Sequence, residues 1–236
     1  NGSFKILLLG IDSQEGEGGS ERRAENMHAD TVFVAKVNPE SSRTDIISLP
    51  KESIVSIPGE SIKSDKLCNS YSYGGVTSTI ETIQPLLNTK IDYYMSLDWI
   101  GLEKLVDQCK GIDINNPITT NYNDHTFVTG ELHLDGKATY DYLRGIFLTA
   151  SNETIRQEAQ ARVLSAIFTK LATAKNISSY PEYLNLVENN VETDLSFKDC
   201  MTIGLNDTKA LKNVSFKNIQ ELTPTEINEA HNILEK

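Results

Sequence analysis

The sequence is short of cysteine, of arginine and of long apolar runs, and each shortage excludes something. Three cysteines, Cys68, Cys109 and Cys200, show neither CxxC nor Cys/His spacing, which excludes a zinc module and a disulfide scaffold. Cys109 falls on an apolar helical stripe and is expected as a buried core thiol. Only six of the 22 basic residues are arginine, and 33 acidic residues set the net charge at −11. Such a surface repels nucleic-acid backbones, so no nucleic-acid partner is expected. The longest apolar run, Ile6-Leu7-Leu8-Leu9, falls far short of the roughly 20 residues that cross a bilayer. The four histidines, His28, His125, His133 and His231, show no ligand spacing. No Ser/His/Asp arrangement or nucleophile elbow is present either. Hydrophobic residues at 39% are ordinary for a globular domain, which excludes global disorder.

Strand and helix patterns interleave from end to end, which predicts one α/β domain over residues 4–236. Phe4 to Ile11 reads as a buried strand, followed by an exposed Gly- and Glu-rich loop over 13–28. Thr31–Val37 and Thr44–Leu49 read as two further strands joined by the turn at Asn38-Pro39, so the sheet is expected to be mixed. Helical spacing follows Gly74-Gly75, with Pro85 near its end. Ile91 to Leu97 reads as a strand, and Asp98 caps a helix closed by Gly111. Ile112–Ile114 and Leu132–Leu134 read as short strands around a loop at 117–130. A helix runs from Gly136 through Leu143, and a long one follows Ser151-Asn152. Pro181 opens another helix through Val187, and Thr223-Pro224-Thr225-Glu226 starts the last.

Three places could carry chemistry. Gly16, Gly18 and Gly19 follow the first strand, but no Gly-Lys-Ser/Thr and no helix follow them, so a phosphate loop is rejected. Asp12 lies just after the first strand and Asp30 just before the second. If those strands are antiparallel neighbours, the carboxylates meet at one end of the sheet, where a hard cation such as Mg²⁺ or Mn²⁺ would relieve their repulsion. On the residues alone, two acids that merely end their strands are the plainer account. Arg144 closes one helix, and Arg156 and Gln160 share a face at the start of the next. Two arginines flanking a helix start can clamp a phosphate, although on spacing alone a solvated face with surface ion pairs is the plainer account.

The ordered landmarks supply what no single motif does. They include Lys5-Ile6-Leu7-Leu8-Leu9-Gly10-Ile11-Asp12-Ser13, Ala29-Asp30-Thr31, Ser48-Leu49-Pro50-Lys51-Glu52 and Val55-Ser56-Ile57-Pro58-Gly59. Asp65-Lys66-Leu67, Tyr71-Ser72-Tyr73-Gly74-Gly75, Ile91-Asp92-Tyr93-Tyr94 and Leu105-Val106-Asp107 follow. Leu134-Asp135-Gly136-Lys137-Ala138, Tyr142-Leu143-Arg144 and Arg156-Gln157-Glu158-Ala159-Gln160 complete the series. In order and spacing this series resembles the LytR-CpsA-Psr family. The resemblance implies a single three-layer α/β/α domain with a mixed central sheet. It implies a location on the outer face of the plasma membrane, in the envelope of a Gram-positive-type bacterium. A transmembrane helix would precede residue 1.

It also implies an Mg²⁺-dependent phosphotransferase. Such an enzyme moves a glycopolymer, a teichoic acid or capsule, from a polyprenyl-pyrophosphate carrier to a peptidoglycan acceptor. Asp12 and Asp30 then match metal ligands, and Arg144 and Arg156 match pyrophosphate-binding arginines. Gln160 matches a nearby polar position, Lys51 a cationic substrate contact, and Glu52 is a candidate to activate the acceptor hydroxyl. The sequence departs from the family where Arg is usual, at Gln14, His28, Lys51, Ile146 and Ala159, and where Asp is usual, at Glu52. Each lost charge-assisted bond is worth roughly 1.5–3 kcal/mol. The departures therefore leave a second reading open: an extracellular module that binds polyprenyl phosphate or glycan without transferring it.

Overall fold

The protein is described from a computed structural model, which covers residues 2–13, 27–173, 181, 185 and 191–236. Gln14, most of the expected 13–28 loop and most of the helix expected from Pro181 lie outside the described residues.

Six strands form the central sheet: β1 (Phe4–Ser13), β2 (Met27–Asn38), β3 (Arg43–Ser48), β6 (Tyr93–Asp98), β11 (Val191–Thr193) and β12 (Val214–Asn218), in the order β11-β6-β1-β2-β3-β12. β1 runs antiparallel to β2 and parallel to β6, so the sheet is mixed as expected, and the short β2–β3 connection joins an antiparallel pair. Ile6 to Leu9 are all but inaccessible because both faces of β1 are covered. Alternation then divides the strand between two cores. Ile6 and Leu8 pack with Phe33 and Met95 beneath α2 (Leu102–Gln108), α3 (Gly136–Thr149), α4 (Glu153–Thr173) and α5 (Phe197–Asn206). Leu7 and Leu9 pack with Val32 and Val34 against α1 (Ser70–Leu87) and α7 (Pro224–Glu235). The short helix α6 (Thr208–Lys212) leads into β12, and the hairpin β4 (Ile54–Ile57) with β5 (Lys63–Lys66) precedes α1. The architecture is the expected α/β/α arrangement, and Cys109 is buried in the first core.

Several expected boundaries need correction. β1 and β2 run further than their apolar runs, so Asp12 and Asp30 lie inside strands, because backbone pairing outlasts the hydrophobic pattern. α1 begins at Ser70, with Gly74 and Gly75 forming an internal kink rather than its start. Asp98 caps a single 3₁₀ turn, Trp99–Gly101, through the Ile100 N–H, and α2 follows it. The expected loop at 117–130 contains a hairpin, β8 (Thr120–Tyr122) with β9 (His125–Phe127). It is followed by β10 (Gly130–Leu134), which pairs with β7 (Ile112–Asn116). α3 continues to Thr149, so Arg144 lies within it rather than at its end.

One close approach fixes the far end of β1, an interior strand. A methyl group at Gly10 would stand 2.1 Å from the Thr31 hydroxyl oxygen and 2.5 Å from the Trp99 indole nitrogen, so only glycine lets the indole lie across β1.

Candidate functional site

Asp12 and Asp30 lie at the same end of the β1–β2 ladder, beside a bulge. Gly10 pairs with Thr31 and Ile11 with Ala29, leaving Asp30 as the extra residue of β2, while Asp12 sits opposite His28. A bulge re-aims the side chain it carries. Asp30 accepts a 2.5 Å ion-paired hydrogen bond from Lys51 Nζ, which comes from the turn after β3. Burial pulls the Lys51 pKa down, but the Asp30 hydrogen bond and the charges of Asp30, Glu153 and Glu52 outweigh it, so the pKa is raised. The side chain is therefore an ammonium at neutral pH.

α4 is tied to the same corner of the sheet. Gln157 Nε2 donates to Glu153 Oε1 at 2.9 Å, and Ser48 Oγ at the end of β3 donates to Gln157 Oε1 at 3.5 Å. Asn218 at the end of β12 donates to Thr154 Oγ1 at 3.1 Å. These bonds fix the first turn of α4 over the strand ends, and with it Arg156. Gln157 was missed as a positioning residue because a glutamine in a polar helical stretch carries no local signal. Gln160 is half-buried one turn beyond Arg156.

Arg144 and Arg156 stand on consecutive helices and share one ring. Their guanidinium carbons lie 5.8 Å and 4.8 Å from the centroid of Phe147. Arg156 also reaches Glu153 at 3.4 Å and the Ala150 carbonyl at 3.5 Å. The Nε atoms of both arginines are buried with no hydrogen-bond partner among the described residues. A buried guanidinium N–H without an acceptor is costly, so both arginines are set to receive one.

Glu52 is exposed and turned to Lys66, at 2.6 Å. The Lys66 hydrogen bond holds its carboxyl below the usual range, against a small opposing effect of burial. Lys66 is a second residue that sequence reasoning missed. His28 Nδ1 lies 3.4 Å from Ser72 Oγ. Ile146 and Ala159 are 2% and 1% exposed and pack within the first core, so neither position holds open room for a guanidinium.

Among the described residues no group of three or more His, Cys, Asp or Glu side chains could hold a metal ion. Two carboxylate residues on adjacent strands are nevertheless the hard-oxygen set that Mg²⁺ uses when phosphates and water complete its shell. By donor chemistry Asp12 and Asp30 are the two hard-oxygen residues that this end of the β1–β2 ladder offers to such an ion.

Residues 1–234 match the LytR_cpsA_psr family model. The chain belongs to the LytR-CpsA-Psr family. It is 36% identical over 217 residues to a polyisoprenyl-teichoic acid–peptidoglycan teichoic acid transferase TagU of Enterococcus faecalis, covering 92% of this chain and 70% of that protein. A Bacillus licheniformis TagU is 31% identical, over 85% of this chain and 62% of that one. The crystal structure of B. subtilis TagU superposes with a TM-score of 0.76 at 25% identity, covering all of this chain and 96% of that one. Within this LytR-CpsA-Psr domain no described helix is long and apolar enough to cross a membrane.

Proposed function

We propose that this chain transfers a glycopolymer, of the teichoic acid class, from a polyprenyl-pyrophosphate carrier to peptidoglycan at the outer face of the bacterial cell membrane. The observation that carries the reading is the Lys51–Asp30 ion pair at the strand ends, with the first turn of α4, which carries Arg156, bonded to the ends of β3 and β12. The names of the relatives supply the substrate class.

Mg²⁺ bound by Asp12 and Asp30 would supply charge neutralisation at the pyrophosphate. Arg144 and Arg156 donate to phosphate oxygens through N–H groups that have no other acceptor, and Phe147 holds both guanidinium planes in place. Lys51 exchanges its carboxylate partner for phosphate, as a mobile point charge can. The acceptor hydroxyl oxygen attacks the glycan-bearing phosphorus. The bond from that phosphorus to the bridging oxygen breaks, and polyprenyl phosphate leaves with its charge spread over Arg144, Arg156 and Lys51. Glu52 is the candidate to take the hydroxyl proton, and Lys66 keeps it ionised for that task.

The buried, apolar Ile146 and Ala159 favour a second reading, a module that binds the carrier without transferring from it. In vitro transfer from a synthetic polyprenyl-pyrophosphate glycan decides between them. Mg²⁺-dependent turnover by the wild type, lost in Asp30→Ala, is the expected result. Full transfer by Asp30→Ala sinks the mechanism; carrier binding without any turnover leaves the binding module.

A further inference from the structure

A groove lies outside the candidate site but is linked to it. About 890 Å³ in volume, it is bounded by Trp99, Ile100, Glu103, Lys104 and Asp107 from the β6–α2 segment and by Tyr140 from α3. That size is within the range of small-molecule ligand sites. Two links join it to the candidate site. Trp99 crosses β1 at Gly10, two residues before Asp12. Tyr140 stands one helical turn before Arg144, on the same face of α3.

We propose that this groove holds a neutral, hydroxyl-rich sugar chain on the acceptor side of the reaction. Its apolar surface joins two aromatic rings to one aliphatic side chain: Tyr140 is 44% exposed, Trp99 part-buried and Ile100 48% exposed. Flat rings of this kind stack on the C–H faces of pyranose rings. Beside them stand polar groups that can pair with sugar hydroxyls, namely Glu103, Lys104 and Asp107. Two carboxylates against one ammonium make the walls net negative, which disfavours a polyphosphate chain and leaves an uncharged glycan unpenalised. The groove is also braced. Asp107 Oδ1 accepts the Gly136 N–H at 2.8 Å, locking α2 to the start of α3 before any ligand arrives. A chain lying here would run toward Asp12 along β1 past Gly10, and toward Arg144 along α3 past Tyr140. The acceptor role rests on the transferase reading; the sugar binding does not.

Trp99 is the only tryptophan in the chain, so its emission reports on the groove directly. Titration with chitotetraose, a neutral N-acetylglucosamine oligomer, is expected to give a saturable change in emission. Tyr140→Ala, at an exposed position, should weaken it at least fivefold with an unchanged melting temperature. Asp30→Ala should leave it intact, and a poly(glycerol phosphate) chain should not compete. No saturable change, equal binding by Tyr140→Ala, or displacement by the polyanion each overturns the assignment. Saturable sugar binding by a protein with no transfer activity would refute the transferase and leave the subsite standing. Transfer without sugar binding would do the reverse.

Discussion

The two halves of the candidate site are in opposite states. On the strand side, Asp30 already holds a cation, the Lys51 ammonium at 2.5 Å. On the helix side, Arg144 and Arg156 carry buried Nε atoms with no acceptor. Each half is partly paired, through Lys51 and Glu153, but on the helix side the two Nε–H groups have no acceptor among the described residues. An anion arriving with its own divalent cation would satisfy both: Asp12 and Asp30 would hold the cation, Lys51 would be freed, and the arginines would gain oxygens. A bare cation satisfies only the first half and must compete with Lys51 to do so.

The largest expected effect tests the unsatisfied half. Arg156→Ala removes charge-assisted bonds worth about 1.5–3 kcal/mol, so transfer should fall roughly 10- to 150-fold. Arg156→Lys should recover only part of it, since an ammonium cannot reproduce a planar, bidentate contact. Full activity in Arg156→Lys would show that charge alone matters there. Next comes the occupied half. A part-exposed pair is worth up to about 1 kcal/mol, so Lys51→Met should tighten Mn²⁺ binding by up to roughly fivefold while slowing transfer. Metal affinity that ignores Lys51 would mean that the 2.5 Å pair does not compete for Asp30.

These contrasts were only partly legible in the sequence. The sheet was readable because Ile6 to Leu9 form a continuous apolar run, and the turn at Asn38-Pro39 forces antiparallel pairing. Asp12 and Asp30 were placed at one end of the sheet by the same logic, but not the bulge that singles out Asp30, because an extra residue in a ladder leaves no mark on alternation. The stacking of Arg144 and Arg156 on Phe147 depends on how α3 turns into α4 through Ala150–Asn152. Nothing in the spacing of the two arginines gives that angle. The hairpin at Thr120–Phe127 was missed because each strand has three residues, too few for a period to show. Lys66 meets Glu52 only through the β4–β5 hairpin, a pairing of residues 14 apart that propensity does not report.

Phe147 sharpens the comparison at smaller amplitude. Its ring is 52% exposed and has a guanidinium at 4.8 Å and another at 5.8 Å. Cation–π contacts at exposed sites are worth about 0.5–1 kcal/mol, so Phe147→Ala should raise KM for the carrier roughly two- to fivefold. With half the ring in water, the melting temperature should move little. An unchanged KM would show that the helices alone orient the arginines.

The smallest expected effect concerns Glu52, and its sign can be worked out. A base must be ionised to accept a proton, so activity falls as pH drops through its pKa. Lys66 holds that pKa below the usual glutamate range, which places the acid limb of the pH–rate profile low. Lys66→Ala removes the hydrogen bond and the charge, so the pKa rises and the acid limb moves to higher pH. Because the pair is exposed, the shift is modest and shrinks further at high salt. At the pH optimum the variant should be no slower, because a carboxylate with a higher pKa accepts a proton more readily. An acid limb that stays in place in Lys66→Ala, with Glu52→Gln retaining activity, would remove Glu52 from the chemistry and leave the acceptor proton to solvent or to a phosphate oxygen.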